Sequence, residues 1–227
     1  MFVVNDPPPQ IVPERLVLLL KAEPATIGHF RQVGFMDPAI RALLPDRRIA
    51  GTAVTIRFDG DDTSIVHYAL GKLRPGDILV IDRAGDTRHA CCGGGVAYAA
   101  REAGCLGVII DGVATDIQEL RAYGMPVWAR GLSPITCKPR FVGGEFCVPI
   151  ACGGVPVTPG DVVFADENGV LVMPPSDIET SAQRAIGMQD AEKAALARVT
   201  KGERFPDING TNARIGKILA AQSMDRS

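Results

Sequence analysis

The residues best suited to chemistry are a run of glycines and a carboxylate further along the chain. Gly93, Gly94, Gly95 and Val96 form the predicted start of a helix that follows a short apolar segment. Glycines let a ligand approach the backbone closely, and the unpaired amides of a helix start favour an anion. A carboxylate or phosphate group would suit this loop, although the same glycines are also consistent with a tight turn and close helix packing.

Asp116 is the second candidate, because it falls in the first turn of the next predicted helix. The helix macrodipole alone favours a carboxylate there by about 0.3 to 1 kcal/mol, so a purely structural role is one interpretation. The second interpretation is functional and depends on the position of Asp116 beside an anion-binding loop. There, a carboxylate could hold Mg²⁺ or Mn²⁺, and the ion would bridge it to a bound oxo acid and otherwise bind water.

Two successive crossover units position these groups. Residues 78–82 and 106–111 are apolar runs typical of buried strands, and the alanine-rich residues 94–103 between them predict a helix. A strand, helix, strand order implies a right-handed parallel crossover. Ligands bind outside the carboxyl ends of parallel strands, so the glycine loop and Asp116 are expected at one edge of the sheet.

The next crossover follows directly. Residues 115–123 predict a helix with a capping box from Thr115 to Gln118 and a C-cap at Gly124, and residues 126–129 predict a third parallel strand. The many glycines and β-branched residues of 140–173 favour an antiparallel β layer. The chain is therefore expected to have an α/β fold.

Helices are expected to flank this core. Residues 14–21 and 26–34 have helical apolar spacing, and Asp37-Pro38 signals a further helix start before Leu44. The last helix is predicted to begin at Ser176, with Glu179 as its capping partner, and to reach about Val199 before a polar loop.

We therefore predict a single domain over residues 1–227. It would comprise an N-terminal helical cap at about 10–48, a core at about 49–175, and a C-terminal helix at about 176–200 with a tail.

Composition excludes several classes of protein. The net charge of −2 and the scattered basic residues argue against nucleic acid and anionic membranes as partners. No apolar stretch is long enough to span a membrane and no leader is recognisable, so a cytoplasmic location is expected. The six cysteines have no metal-finger spacing and are predicted to be reduced, mostly buried thiols.

Other chemistries lack their motifs. His29, His67 and His89 are not at ligand spacing, and no Ser-His-Asp order or G-x-S-x-G elbow occurs. Tyr98 stands where a dinucleotide-binding loop needs its third small residue, which disfavours a nucleotide site.

Several motifs then follow one another in an order that is fairly specific to one family. Along the chain they are residues 93–97 (GGGVA), 107–112 (GVIIDG), Asp116, 126–131 (PVWARG), and later Pro159, Gly160, Asp161, Asp166, Gly169, Val170 and Pro174. Over roughly residues 35–175 the chain resembles the RraA-like family, which includes regulators of ribonuclease activity and class II 4-hydroxy-4-methyl-2-oxoglutarate aldolases.

The resemblance implies a swivelling β/β/α-type domain in a homotrimer or homohexamer, with sites near subunit boundaries. In the aldolases, the amides of the glycine loop hold the substrate carboxylate. An Arg-Asp pair opens the following helix; its Asp holds the divalent metal and its Arg contacts the 2-oxo acid. Carried over, the substrate loop is Gly93 to Val96, the metal ligand is Asp116, and Thr115 occupies the position of the Arg.

Two positions depart from the family pattern. Thr115 has no charge to replace the Arg, whose charge-assisted bonds would contribute about 1.5 to 3 kcal/mol each. Gly94 stands where the pattern often has an acidic residue that could orient a water for proton transfer. Arg83, Arg88, Arg130 and Lys138 are the candidates for supplying the missing positive charge.

Two functions are consistent with this pattern. The first is a lyase, dependent on Mg²⁺ or Mn²⁺, that cleaves a 4-hydroxy-2-oxo acid to pyruvate or decarboxylates oxaloacetate, with Asp116 and Thr115 at the reaction centre. The alternative is a non-catalytic regulator that binds a protein partner such as a ribonuclease, as some members of the family do.

Overall fold

A mixed β-sheet organises the first of the two compact units into which the chain divides, Met1–Gln183. The computed structural model describes residues 1–224. Up to the last long helix, the elements in chain order are β1 (Phe2–Val4), α1 (Pro13–Leu19), α2 (Pro24–Gly28), β2 (Arg41–Ala42), β3 (Ile49–Arg57), α3 (Ser64–Leu70), β4 (Asp77–Asp82), α4 (Gly94–Glu102), β5 (Gly107–Ala114), α5 (Ile117–Tyr123), β6 (Val127–Leu132), β7 (Gly144–Phe146), β8 (Ile150–Cys152), β9 (Val155–Val157), β10 (Val162–Asp166) and β11 (Gly169–Met173).

The sheet combines parallel and antiparallel neighbours. Its order is β1-β7-β3-β4-β5-β6-β2, and β10 pairs with both β3 and β11. The strands β3, β4, β5 and β6 are parallel neighbours, and Asp82 at the end of β4 is opposite Asp111 of β5. The predicted parallel crossovers are therefore present, and α4 and α5 both begin beyond the carboxyl ends of strands.

Three layers arise because alternate residues of the central strands face opposite sides. Leu79 and Ile81 of β4 belong to a buried cluster with Ala97 and other residues of α3, α4 and α5. Their neighbours Ile78 and Val80 belong to a second cluster that includes the β8–β9 hairpin. Burying each such aliphatic side chain contributes about 1.5 to 3 kcal/mol, so these two faces hold the helices and the hairpin on the sheet. The predicted mixed α/β fold is confirmed.

The region before β3 is less helical than predicted. The segment expected to form a helix from Asp37 instead makes a single turn, in which the Ile40 amide donates to the Asp37 carbonyl at 2.9 Å. Arg41 and Ala42 then pair with β6. Strand pairing thus overrides the local helix signal, and the helix expected over 26–34 is reduced to α2.

Both predicted capping boxes are also wrong. The Thr115 hydroxyl donates to the carboxylate of Asp116, and Asp116 itself is the N-cap of α5. At the other site, Ser176 lies in a short 3₁₀ turn, Pro175–Asp177, and donates to Asp177. Glu179 is instead paired with Arg15 of α1, so a long-range ion pair replaces the local cap. The C-cap at Gly124 is confirmed by its left-handed φ of 65°.

The second unit begins at Arg184 and is helical. The helix α6 (Ile178–Thr200) starts in the first unit and ends close to the predicted position, and α7 (Phe205–Ile208) and α8 (Thr211–Met224) follow it. The prediction of a polar loop here is wrong because its polar residues start helices. For example, Asn209 accepts a hydrogen bond from the Thr211 amide at 3.0 Å. The single-domain assignment for 1–227 stays a prediction.

Asp62 joins two distant loops of the first unit and generates a stability prediction. Its buried carboxylate accepts hydrogen bonds from Ser64, Arg140, Val142 and Gly143. Burial opposes ionisation, but hydrogen bonds from the Ser64 side chain and from the Arg140, Ser64 and Val142 amides outweigh it, so the pKa of Asp62 lies well below its ordinary value.

We expect Asp62→Asn to lower the free energy of unfolding by about 2 to 4 kcal/mol at neutral pH, because charge-assisted acceptors are lost. Since the folded pKa is depressed, this stabilisation is complete above the unfolded pKa and is lost as the pH falls towards the folded pKa. Urea unfolding at pH 7 and at pH 3 measures both effects. The assignment is contradicted if the wild-type and variant proteins differ equally at both values.

Candidate functional site

The starts of α4 and α5 lie against each other at one edge of the sheet. The Thr115 amide donates to the Cys92 carbonyl at 2.9 Å, which ties the end of β5 to the residue before the glycine loop. The Gly94 amide donates to Oδ2 of Asp116 at 3.0 Å. The structure therefore brings together the two features that the sequence analysis selected, the glycine loop and Asp116.

The glycine loop retains three backbone amides that are not bonded within the chain. The Ala97 amide closes the first turn of α4 by donating to the Gly93 carbonyl, and that of Gly94 is taken by Asp116. Within residues 1–224, the amides of Gly93, Gly95 and Val96 have no acceptor. Gly95 is exposed, and a Cβ added there would meet nothing within 4 Å. At Gly95 the backbone is therefore open to an anion, and binding of a substrate by Gly93 to Val96 stays a prediction.

Gly93 has a different role, which is to leave room for Asp116. A Cβ at position 93 would lie 2.4 Å from Oδ2 of Asp116 and 2.8 Å from Cγ2 of Thr115. Real Cβ atoms do not make such contacts, so any side chain at 93 would displace the carboxylate.

Asp116 is exposed and adopts a left-handed backbone conformation, with φ of 55°. Aspartate tolerates this region better than most residues, and such outliers concentrate where a side chain must be aimed for function. Here the conformation turns the carboxylate towards α4. Its two oxygens accept hydrogen bonds from Gly94 and from the Thr115 hydroxyl, and each keeps lone-pair capacity for a further partner.

The donor set fits a weakly chelated divalent cation. Across the described part of the chain, no group of three or more His, Cys, Asp or Glu side chains is arranged to hold a metal. A single exposed carboxylate suits Mg²⁺ or Mn²⁺, because Mg²⁺ keeps several waters and commonly binds one or two carboxylates together with oxygens of the substrate. Asp116 would therefore be the protein ligand, and water and substrate would complete the coordination.

Two of the four basic side chains that could supply the missing positive charge are bonded to other parts of the fold. Arg83 is fully buried, and its guanidinium lies 4.0 Å from the centre of the Phe58 ring and donates to the Gly60 carbonyl at 2.6 Å. Arg130 forms ion pairs with Asp111 at 2.5 Å and with Asp37 at 2.8 Å. Both guanidinium groups hold the fold together.

Arg88 and Lys138 remain as candidates for supplying the positive charge that Thr115 lacks. Of these two, Arg88 is the one whose main chain borders the site. The Arg88 carbonyl accepts from the Ser133 hydroxyl at 2.7 Å, and the Ser133 amide donates to the Ala114 carbonyl at 2.9 Å, directly before Thr115. The main chain of Lys138 instead pairs with Asp61. The side chain of Arg88 is exposed and forms no hydrogen bond or ion pair with any described residue.

Glu119 is a site residue that the sequence analysis missed. A Cβ added to Gly94 would lie 1.4 Å from Oε2 of Glu119, so this carboxylate occupies the space that a side chain at 94 would fill. Spacing within one helix does not signal this contact, because it depends on how α5 packs against the start of α4.

The remaining reactive side chains do not add chemistry at this edge. The ring of His89 is hydrogen-bonded to Asp86 at 2.7 Å. All six cysteines are free, as predicted, and five are buried. Burial raises the pKa of Cys91 to about 12 and that of Cys92 well above its ordinary value, so neither thiol beside the loop is a ready nucleophile.

Two surface concavities of the first unit lie away from the glycine loop. One of about 490 Å³ is bordered by Arg57, Asp59 and Arg140, and another of about 360 Å³ by Arg31 and Phe35. Neither includes the loop or Asp116. In the single chain Gly95, Asp116 and Glu119 are exposed, so the candidate site is open to solvent. Among residues 1–224, no helix combines the length and apolar character that crossing a bilayer requires.

Fold and site together define a class: a β/β/α domain in which a glycine-rich helix start faces a carboxylate suited to a divalent cation. The family model described as RraA-like, Aldolase/RraA, matches residues 25–172. The chain belongs to the RraA-like family.

Its relatives carry two kinds of name. Proteins named "Putative 4-hydroxy-4-methyl-2-oxoglutarate aldolase" from Halalkalibacterium halodurans and Shewanella oneidensis are each 34% identical, over 70% and 68% of this chain and 75% and 93% of their own lengths. Among solved structures, Streptomyces coelicolor RraAS2, described as an unusual member of the RNase ES inhibitor RraA family, superposes with a TM-score of 0.73 at 26% identity, covering 82% of this chain and 98% of its own.

The contacts of Gly93 and Gly95 yield a matched pair of variants. Gly93→Ala should lower the free energy of unfolding by about 1 to 2 kcal/mol, because it displaces Asp116 from the Gly94 amide. Gly95→Ala should be neutral or stabilise α4 by about 0.5 kcal/mol, since the space is open and alanine favours a helix. Urea denaturation measures both variants. Equal effects of the two substitutions would show that Gly93 does not hold this place for Asp116.

Proposed function

We propose that this protein is a divalent-metal-dependent lyase that acts on a small 2-oxo acid. The observation that supports this most directly is the contact between the two helix starts: Asp116 is bonded to the Gly94 amide, and the next two amides, of Gly95 and Val96, are without acceptors in the described structure. A carboxylate bound to those amides would place its neighbouring 2-oxo group beside Asp116.

Each group of this site has a defined task in the proposal. The Gly95 and Val96 amides orient the substrate carboxylate, as the start of a nine-residue helix favours an anion. Asp116 holds Mg²⁺ or Mn²⁺, and Thr115 orients the carboxylate of Asp116 through its hydroxyl. When bound, the metal draws electron density from the 2-oxo group and thereby stabilises an enolate.

Retro-aldol cleavage of a 4-hydroxy-2-oxo acid and decarboxylation of oxaloacetate share one requirement. Both break the bond between C3 and C4 and leave the enolate of pyruvate, so a site that stabilises this enolate serves both reactions. The names of the aldolase relatives support the first reaction, and the fit of Asp116 to a single-carboxylate metal site supports both.

Arg88 is proposed to supply the positive charge that Thr115 does not provide. It borders the site through Ser133, and its guanidinium is exposed and without a partner among the described residues. An arginine can contact a carboxylate through two parallel hydrogen bonds, which suits a 2-oxo acid held at Gly95 and Val96.

A homo-oligomer, trimer or hexamer, is part of the proposal. The glycine loop lies on open surface in one chain, whereas enolate chemistry benefits from a site shielded from water. A neighbouring subunit would provide that cover.

The free thiols are consistent with action in the reducing cytoplasm.

A second candidate is a regulator that binds a protein partner without catalysis. The exchange of the family Arg for Thr115 favours it, and the Thermus RNA-processing inhibitor RraA is 31% identical in the region aligned, covering 62% of this chain, with a TM-score of 0.57. In a regulator of this kind, Asp116 would be one surface carboxylate among many.

The lyase proposal predicts pyruvate release from 4-hydroxy-2-oxo acids or oxaloacetate that requires Mg²⁺ or Mn²⁺ and stops on addition of EDTA. Asp116→Asn keeps an oxygen for the Gly94 amide but removes the charge, so kcat/KM should fall by about 100-fold or more while the protein stays folded. Pyruvate formation is followed by coupling to its reduction, with circular dichroism as the control for folding. No turnover above buffer and metal would refute the lyase, and unchanged binding of a ribonuclease by the variant would favour the regulator.

Arg88→Ala should lower kcat/KM by about 10- to 100-fold, because a charge-assisted contact to the substrate carboxylate is lost. Lys138→Ala is the matched control, since Lys138 is also exposed and without a described side-chain partner but its main chain lies beside Asp61. The same pyruvate assay measures both variants. Equal losses, or a loss only in Lys138→Ala, would contradict the assignment of Arg88.

A further inference from the structure

We propose that Glu119 is the proton-transfer group of this site, acting as general base and then as general acid. This inference rests on the lyase activity proposed above and adds to it the group that moves the protons. It depends on one juxtaposition: the carboxylate of Glu119 lies over Gly94, the residue whose amide is bonded to Asp116 and which directly precedes Gly95 and Val96.

The placement of Glu119 is possible only because residue 94 is glycine. Its Oε2 is 1.4 Å from where a Cβ of residue 94 would be, its Cδ is 2.6 Å away and its Cβ 3.0 Å away. The side chain therefore folds over the start of α4, although its own backbone belongs to α5. The Glu119 amide donates to the Asp116 carbonyl at 2.9 Å, so the base of this side chain is fixed by the first turn of α5.

The two carboxylates at this edge differ in their partners. Asp116 accepts from the Gly94 amide through one oxygen and from the Thr115 hydroxyl through the other. Glu119 is exposed, and its side chain accepts no hydrogen bond and forms no ion pair within residues 1–224. A carboxylate without protein partners keeps its lone pairs for a water or a substrate hydroxyl, which is the requirement for a general base. Asp116 is thus suited to hold the metal and Glu119 to exchange protons.

In retro-aldol cleavage Glu119 alone can carry out both proton transfers. Glu119, directly or through one water, takes the proton of the C4 hydroxyl. The bond between C3 and C4 breaks, C4 becomes a carbonyl, and the electron pair forms the enolate of pyruvate. The protonated Glu119 then returns the proton to C3, which gives pyruvate and regenerates the carboxylate.

Decarboxylation of oxaloacetate requires no general base. Here the bond between C3 and C4 breaks as CO₂ leaves, no hydroxyl has to be deprotonated, and the enolate takes one proton, which water can supply. The two reactions therefore separate proton abstraction from the remaining chemistry of the site, and a merely structural role of Glu119 would affect both alike.

The test compares both reactions in one set of variants of the full chain with Mg²⁺. General bases contribute about 100- to 10,000-fold, so we expect Glu119→Gln to lower kcat for the retro-aldol reaction by about 100-fold and for decarboxylation by less than about 5-fold. Glu14→Gln changes an exposed glutamate of α1, which is not part of the site, and should alter neither rate. Pyruvate affinity, measured by calorimetry in the presence of Mg²⁺, should stay within about 2-fold of wild type in both variants.

A rescue variant tests the position of the carboxylate. In Glu119→Ala the space over Gly94 is empty, and adding Gly94→Asp places a new carboxylate there from the opposite helix. We expect the double variant to recover at least about 10-fold of the retro-aldol kcat lost in Glu119→Ala.

The outcomes separate this inference from the function on which it rests. Equal losses of both reactions in Glu119→Gln, or a full retro-aldol rate, would overturn the assignment of Glu119 and leave the lyase intact. A wild-type protein that binds pyruvate but turns over neither substrate would overturn the lyase, and the role of Glu119 with it.

Discussion

The hydrogen bond from the Gly94 amide to Asp116 joins the two halves of the candidate site. It links the start of one crossover helix to the start of the next, at the edge where the parallel neighbours β4 and β5 end. The constraint it imposes is spatial. Gly93 must be without a side chain, Asp116 adopts a left-handed backbone conformation, and the Gly94 amide is not available to a ligand.

This interaction also explains where sequence-based reasoning succeeded. The strand and helix periods of the two crossovers are local signals, and parallel strands with helices between them determine that the glycine loop and Asp116 share an edge. The buried alternation in β4, with Leu79 and Ile81 on one face and Ile78 and Val80 on the other, is likewise encoded residue by residue.

The errors arose where long-range contacts compete with local ones. Asp37 signals a helix start, but the chain there is held by Arg130 and by pairing of β2 with β6. Glu179 matches a capping box, but Arg15 binds it from another helix. The position of Glu119 over Gly94 belongs to the same group, because it depends on the packing of α4 against α5 rather than on spacing within one helix.

The packing of α4 against α5 offers a physical interpretation of the two departures from the family pattern, Gly94 and Thr115. A site is defined by where charges lie in space, and a side chain from a neighbouring element can fill the volume that a substitution vacates. At position 94 a side chain is absent, and Glu119 of α5 occupies that space. At position 115 a positive charge is absent, and the main chain of Arg88, in the loop after β4, contacts Ser133, which is bonded to the residue before Thr115. Because each exchange couples two positions, the loss of a family residue in the sequence alone is a weak argument for the loss of its chemistry. In this chain the glycine loop and Asp116 are in contact, Glu119 lies over Gly94, and the main chain of Arg88 contacts Ser133 close to Thr115, which is consistent with the rearranged reaction centre proposed above.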